Sequence, residues 1–144
     1  MSEAAFIAGD WGTSRLRLYL CDTRGVVLAR GEGEGASVPD CAGRFAAAVA
    51  PWDKAHGVLP AVLGGMVGST IGWKEVPYLR CPARPQAIAG ASLRFEAGGR
   101  AIAILPGQKH KLWNTGRETL RLLCTCAPAY ENDDTVITEV VAGS

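Results

Sequence analysis

Apolar and polar positions alternate over Leu16, Leu18 and Leu20, set against Arg15, Arg17 and Tyr19. A period of two marks a half-buried strand. Just upstream, Ala5 to Ala8 is a short apolar run that reads as another strand, closing on the acidic Asp10. Gly12 then stands where a tight reversal favours a residue without Cβ. The pattern predicts an antiparallel hairpin with Asp10, Gly12, Thr13 and Ser14 around its tip. Asp22-Thr23-Arg24-Gly25 is a second turn and Val26 to Gly31 a third strand, with a loop through Gly31-Glu32-Gly33-Glu34-Gly35.

The period changes beyond that loop. Pro39-Asp40 precedes an alanine-rich run, Cys41 to Ala50, in which Phe45 and Val49 share one helical face. Pro51 is expected to end or distort this helix. Val58 to Leu63 is a short run rich in branched residues and reads as the fourth strand. A glycine-dense block, Gly64 to Tyr78, follows it. Further on, a strand runs into Pro106-Gly107, Leu120 to Tyr130 continues as strand and turn, and Asp133 to Ile137 reads as a terminal strand.

A chain of 144 residues with 48% apolar and 20% charged residues has the balance of a globular domain able to bury a core. A net charge of +1 gives no electrostatic case for nucleic acid or an acidic membrane as partner. No stretch is long and apolar enough to span a bilayer, and Met1 to Ala5 does not read as a signal peptide. The five cysteines lack the CxxC spacing of a zinc or redox pair, so reduced, buried thiols in a cytoplasmic protein are the expectation.

The chemistry concentrates at two places. At the first hairpin, backbone donors with the Thr13 and Ser14 hydroxyls can hold an anion, while the Asp10 carboxylate can hold Mg²⁺ directly or through water. An ordinary hairpin turn would carry the same residue types. At the second, glycines let the backbone approach a ligand, and Ser69, Trp73, Glu75 and Tyr78 are suitable equipment for a polyol. A glycine-rich connector with core-packed aromatics is the alternative there.

The Asp-x-Gly-Thr-Ser arrangement resembles the first phosphate loop of the sugar kinase/actin superfamily. Together, Asp10-Trp11-Gly12-Thr13-Ser14 with Leu16-Arg17, and Gly65-Met66-Val67-Gly68-Ser69 with Gly72-Trp73, Glu75 and Pro77-Tyr78, resemble the 2-dehydro-3-deoxygalactonokinase family. Cys81-Pro82-Ala83 and Ala101 to Gly107 are similar to it as well, so the resemblance covers roughly residues 5–107. It implies an α/β fold with a ribonuclease-H-like (actin/hexokinase-type) N-terminal lobe whose sheet starts antiparallel. It also implies ATP-dependent phosphorylation of a deoxy keto sugar acid, with ATP and Mg²⁺ as cofactors. Carried over by position, Asp10, Gly12, Thr13 and Ser14 form the phosphate loop, with Asp10 near the metal. Gly65, Met66, Gly68, Ser69 and Trp73 line the sugar-acid side. Arg17 pairs with an anionic group or simply faces solvent. No acidic residue stands out as the base for the substrate hydroxyl, although Glu75 is nearest the motif.

Such a kinase needs a second lobe for adenosine, and no segment after Gly107 resembles one. Gly99, Gly107, His110 and Asn114 instead resemble the second motif of the cupin family. This implies a kinase lobe over 1–106 and a short cupin-like β segment over 107–144. His110 is its single candidate metal ligand, too few for a site in one chain. The competing readings are a cupin-type binding module and an inactive fusion product with unpaired strand edges and a tendency to self-associate.

Overall fold

The computed structural model describes residues 2–80, 82–107 and 116–119. Its first element is the expected hairpin, β1 (Phe6–Trp11) and β2 (Arg15–Cys21), in a register that sets Asp10 opposite Arg17 and Trp11 opposite Leu16. Strand β1 runs further than the apolar run suggested, so Asp10 lies within the strand and not beyond its end. On β2, Leu16, Leu18 and Leu20 are buried, as the alternation requires.

Strand β3 (Val27–Glu34) pairs antiparallel with β2 and extends through the stretch expected to be loop. Pairing with β2, which sets Leu18 opposite Gly31 and Leu16 opposite Gly33, carries the strand through its glycines. A Cβ on Gly31 would sit 3.4 Å from the Trp52 ring, and one on Gly33 would sit 3.4 Å from Leu16 Cδ2, both ordinary contacts.

Helix α1 (Cys41–His56) starts at Asp40, whose carboxylate accepts from the Gly43 N–H at 3.0 Å. Its buried stripe is Cys41, Phe45 and Val49. The helix continues through Pro51 instead of ending there. Pro51 lies on an exposed face, where water can satisfy the carbonyl that loses its partner.

Strand β4 (Ala61–Gly64) lies parallel to β1, and a 3₁₀ turn spans Met66–Gly68. Two elements went unanticipated: α2 (Pro85–Ala91) and β5 (Leu93–Ala97). Gly98 and Gly99, both at positive φ, turn β5 back into β6 (Arg100–Ile104). Gly99 thus closes a hairpin of this sheet, and β6 pairs parallel with β4. The sheet is mixed, six-stranded and ordered β3-β2-β1-β4-β6-β5.

The core lies on the α1 side of the sheet, where Ile7, Trp11, Leu18, Leu63, Ile102 and Ile104 meet Phe45 and Val49. Cys21 and Cys41 are free and buried, as expected of structural thiols. Among the described residues, no helix is long and apolar enough to cross a membrane.

Candidate functional site

Parallel strands β1, β4 and β6 all point their carboxyl ends to one side, the edge at which open α/β sheets hold ligands. Asp10 is there by register. Its antiparallel neighbour is Arg17 and its parallel neighbour is Gly64. Arg17 Nη1 lies 3.2 Å from Asp10 Oδ2, with the side chains 29% and 44% exposed. The pair is therefore reachable from solvent. Arg17 does not simply face solvent; it answers the carboxylate across the hairpin.

Gly65, just past β4, adopts φ 97°. A Cβ there would stand 2.8 Å from the Trp11 carbonyl and 3.5 Å from Asp10 Oδ1. Only glycine lets the β4 loop come this close to the carboxylate. The two motifs recognised in the sequence thus meet at Asp10 and Gly65.

The turn between β1 and β2 is tightly held on one side. Gly12 N–H donates to Arg15 O at 2.9 Å, and the Gly12 carbonyl accepts from Ala36 N–H at 2.8 Å. The Thr13 carbonyl accepts from Ser37 N–H at 3.3 Å and from Ser37 Oγ at 2.8 Å. Thr13 Oγ1 differs: it is buried and has no hydrogen-bond partner. An orphaned buried hydroxyl costs about 1–3 kcal/mol, and a ligand oxygen at this turn would relieve it. Ala36 and Ser37 escaped the sequence reading because their role is to hold other residues' carbonyls, which leaves no mark in a linear motif.

The second motif folds on itself. Ser69 Oγ donates to the Met66 carbonyl at 2.7 Å, and Ser69 N–H donates to the same carbonyl at 3.0 Å. Gly68 is buried, and a Cβ there would stand a tight 3.0 Å from Ile104 Cγ2. Trp73 is half-buried in an aromatic cluster, its ring centroid 5.3 Å from Phe95, 5.8 Å from Phe45 and 6.2 Å from Trp11. Met66 packs against the core, and Glu75 is exposed. Of the proposed sugar-acid residues, Gly65 lies closest to Asp10, while Gly68, Ser69 and Trp73 shape the loop that follows it.

The residues present fit the phosphate end of a metal–nucleotide complex: a carboxylate open to solvent, an unsatisfied hydroxyl and a glycine cradle beside them. Among the described residues, no cluster of three or more His, Cys, Asp or Glu could hold a metal. A cation here would rest on Asp10, water and the oxygens of an anion, as Mg²⁺ commonly does. His110 lies outside the described residues.

Comparison with known proteins agrees with both motifs. The family model for 2-keto-3-deoxy-galactonokinase matches residues 10–121. A protein of Rhizobium meliloti (strain 1021) named as a 2-dehydro-3-deoxygalactonokinase is 39% identical over 116 residues, covering 74% of this chain and 36% of the relative. The 2-dehydro-3-deoxygalactonokinase of Escherichia coli (strain K12) is 35% identical over 107 residues, covering 72% and 35%. A crystal structure titled as that kinase, from Sinorhizobium meliloti, superposes with a TM-score of 0.59 at 34% identity, covering 72% of this chain and 34% of that one. The chain thus spans about a third of the length of the curated relatives it matches. The matched range also crosses the expected boundary at 106/107 and takes in Gly107, His110 and Asn114. A cupin-like origin for that stretch is not supported, and Gly99, which began the cupin-like pattern, is a hairpin turn of this sheet.

Proposed function

The chain belongs to the 2-keto-3-deoxy-galactonokinase family, and on that premise we propose that it supplies the phosphate-holding and metal-holding part of an ATP-dependent sugar-acid kinase. The substrate is 2-dehydro-3-deoxygalactonate, the compound for which the relatives are named. The observation that carries this reading is Thr13 Oγ1, buried and unpartnered in a turn beside the Asp10 carboxylate. A phosphate oxygen at this turn would give that hydroxyl the partner it lacks among the described residues.

ATP would supply the phosphoryl group, and Mg²⁺ the charge that neutralises its oxygens during transfer. This chain's residues do the placing. Asp10 would hold the cation and Gly12 closes the turn through its bond to Arg15 O, while Thr13 and Ser14 would present amides and hydroxyls to the phosphate oxygens. Gly65 faces the sugar acid, with Met66 packed behind it and Gly68, Ser69 and Trp73 giving the loop its shape. The fold supports the same reading. A β3-β2-β1-β4 order, antiparallel for the first three strands and parallel for β1 and β4, suits a ribonuclease-H-like lobe. Buried reduced thiols at Cys21 and Cys41 suit a cytoplasmic setting.

The test has two parts. Calorimetry with Mg²⁺ and pyrophosphate should show binding that Asp10→Ala removes. A coupled assay with ATP, Mg²⁺ and 2-dehydro-3-deoxygalactonate, against the same variant, asks whether this part turns over without a second lobe. Binding that is equal in both proteins would remove the phosphate-site reading, and turnover equal in both would remove an activity of this chain on its own.

A further inference from the structure

The loop between β3 and α1 is wound around one side chain. The Arg44 guanidinium donates from Nε to Pro39 O at 2.9 Å and from Nη1 to Glu34 O and Gly35 O, each at 3.0 Å. Its Nη2 donates to Val38 O, and its plane lies over the Trp11 ring, 5.5 Å from the centroid. Four carbonyls on one guanidinium use most of the fork's donors. No lysine could repeat this, because an ammonium is a point donor without the planar spread.

The loop so gathered grips the β1–β2 turn. Ala36 and Ser37 hold the carbonyls of Gly12 and Thr13. Gly35 presses against the same peptide: a Cβ there would lie 1.8 Å from Thr13 O and 2.4 Å from Ser14 N. In a planar trans peptide, the carbonyl and the next N–H point in opposite directions. Drawing the Gly12 and Thr13 carbonyls toward residues 36–37 therefore turns the N–H groups of Thr13 and Ser14 the other way.

We propose that Arg44 is a positioning residue, which organises the 34–38 loop so that this loop aims the amides of the phosphate turn at the anion. Ser37 transmits the effect through its bonds to the Thr13 carbonyl. The inference rests on the phosphate reading above for the identity of the ligand, but its geometry stands apart from any ligand.

The experiment compares Arg44→Gln, Arg44→Lys and Ser37→Ala with Val49→Ala, a core change on the same helix and away from the turn. Each is measured for Mg²⁺–pyrophosphate affinity by calorimetry, for the exchange rate of the Gly12 amide and for Tm. Loss of one such bond predicts about tenfold weaker binding and about tenfold faster Gly12 exchange in Ser37→Ala and Arg44→Gln. Arg44→Lys should resemble Arg44→Gln, and Val49→Ala should lower Tm without either effect. Gly12 exchange no faster in Arg44→Gln and Ser37→Ala than in Val49→Ala overturns the proposal. If the unaltered protein binds no pyrophosphate, the phosphate reading falls, and the exchange comparison alone decides the positioning role.

Discussion

Arg17 reaches across the hairpin to the carboxylate of Asp10, 3.2 Å from Nη1 to Oδ2, on two residues that face each other in the β1–β2 register. Both side chains are partly open to water, so the pair contributes no more than about 1 kcal/mol to stability. Its consequence is local charge. The guanidinium occupies one carboxylate oxygen and repels an approaching cation. Arg17→Gln should therefore strengthen Mn²⁺ binding about fivefold, the scale of one screened unit charge near a surface, whereas Asp10→Asn should abolish it. Water-proton relaxation with Mn²⁺ measures both. Equal Mn²⁺ affinity in Arg17→Gln and the unaltered protein would count against the competition.

A second ion pair, between parts of the sequence far apart, does the opposite job. Arg100 Nη2 lies 2.5 and 2.6 Å from the two oxygens of Asp53, and the same side chain donates to Leu59 O. Arg100 is only 5% exposed. It ties the last turns of α1 and the approach to β4 onto β6. Asp53→Ala leaves a buried guanidinium without its counter-charge and should cost about 3 kcal/mol, a large part of a typical domain's stability. Replacing both partners by methionine should cost less than Asp53→Ala alone. Urea unfolding of the two variants checks the order.

Gly65 and Gly57 separate strain from function. Both have positive φ, 97° and 80°, so alanine at either is strained by about 1–2 kcal/mol. A Cβ at Gly57 meets nothing within 4 Å, whereas one at Gly65 meets the Trp11 carbonyl and the edge of Asp10. Gly57→Ala should lower Tm and leave Mg²⁺–pyrophosphate binding unchanged. Gly65→Ala should lower both. Binding that survives in Gly65→Ala would show that the β4 loop does not shape the site.

The hairpin was legible because it is local. A three-residue reversal between alternating strands fixes the register that brings Asp10 to Arg17 and Thr13 into the turn. What tertiary contacts decide was not legible. The helix passes Pro51 because that residue happens to face solvent, and Gly31 and Gly33 join a strand because β2 pairs with them. Strand β5 does alternate, with Leu93, Phe95 and Ala97 against Arg94 and Glu96. Its glycine turn was absorbed into a cupin-like pattern, which concealed the hairpin. Trp73 reads as a stacking ring for a polyol, but its ring packs against Trp11, Phe45 and Phe95. An aromatic beside glycines carries the same letters in either setting.

Strong acid should loosen the β2–β3 turn. The backbone N–H of Val26, 2.9 Å from Asp22 Oδ1, holds the Asp22 carboxyl below the usual carboxylate range, against the opposing effect of desolvation. The Arg24 N–H at 2.8 Å and the Arg24 side chain add to it. A carboxyl whose acidity is greater when folded stabilises the fold fully above its ordinary value near 4. That contribution fades as pH falls through the lower folded value. Between pH 7 and 5 Asp22 should therefore give no pH dependence, and below about pH 4 it should make stability fall with acid. Asp22→Asn keeps an acceptor for Val26 but cannot titrate. It should be less stable than the unaltered protein at pH 7, and the gap should narrow as pH drops toward 3. Thermal melts of both proteins across that range read the difference directly, and a gap that stays constant with pH would rule out Asp22 as its source.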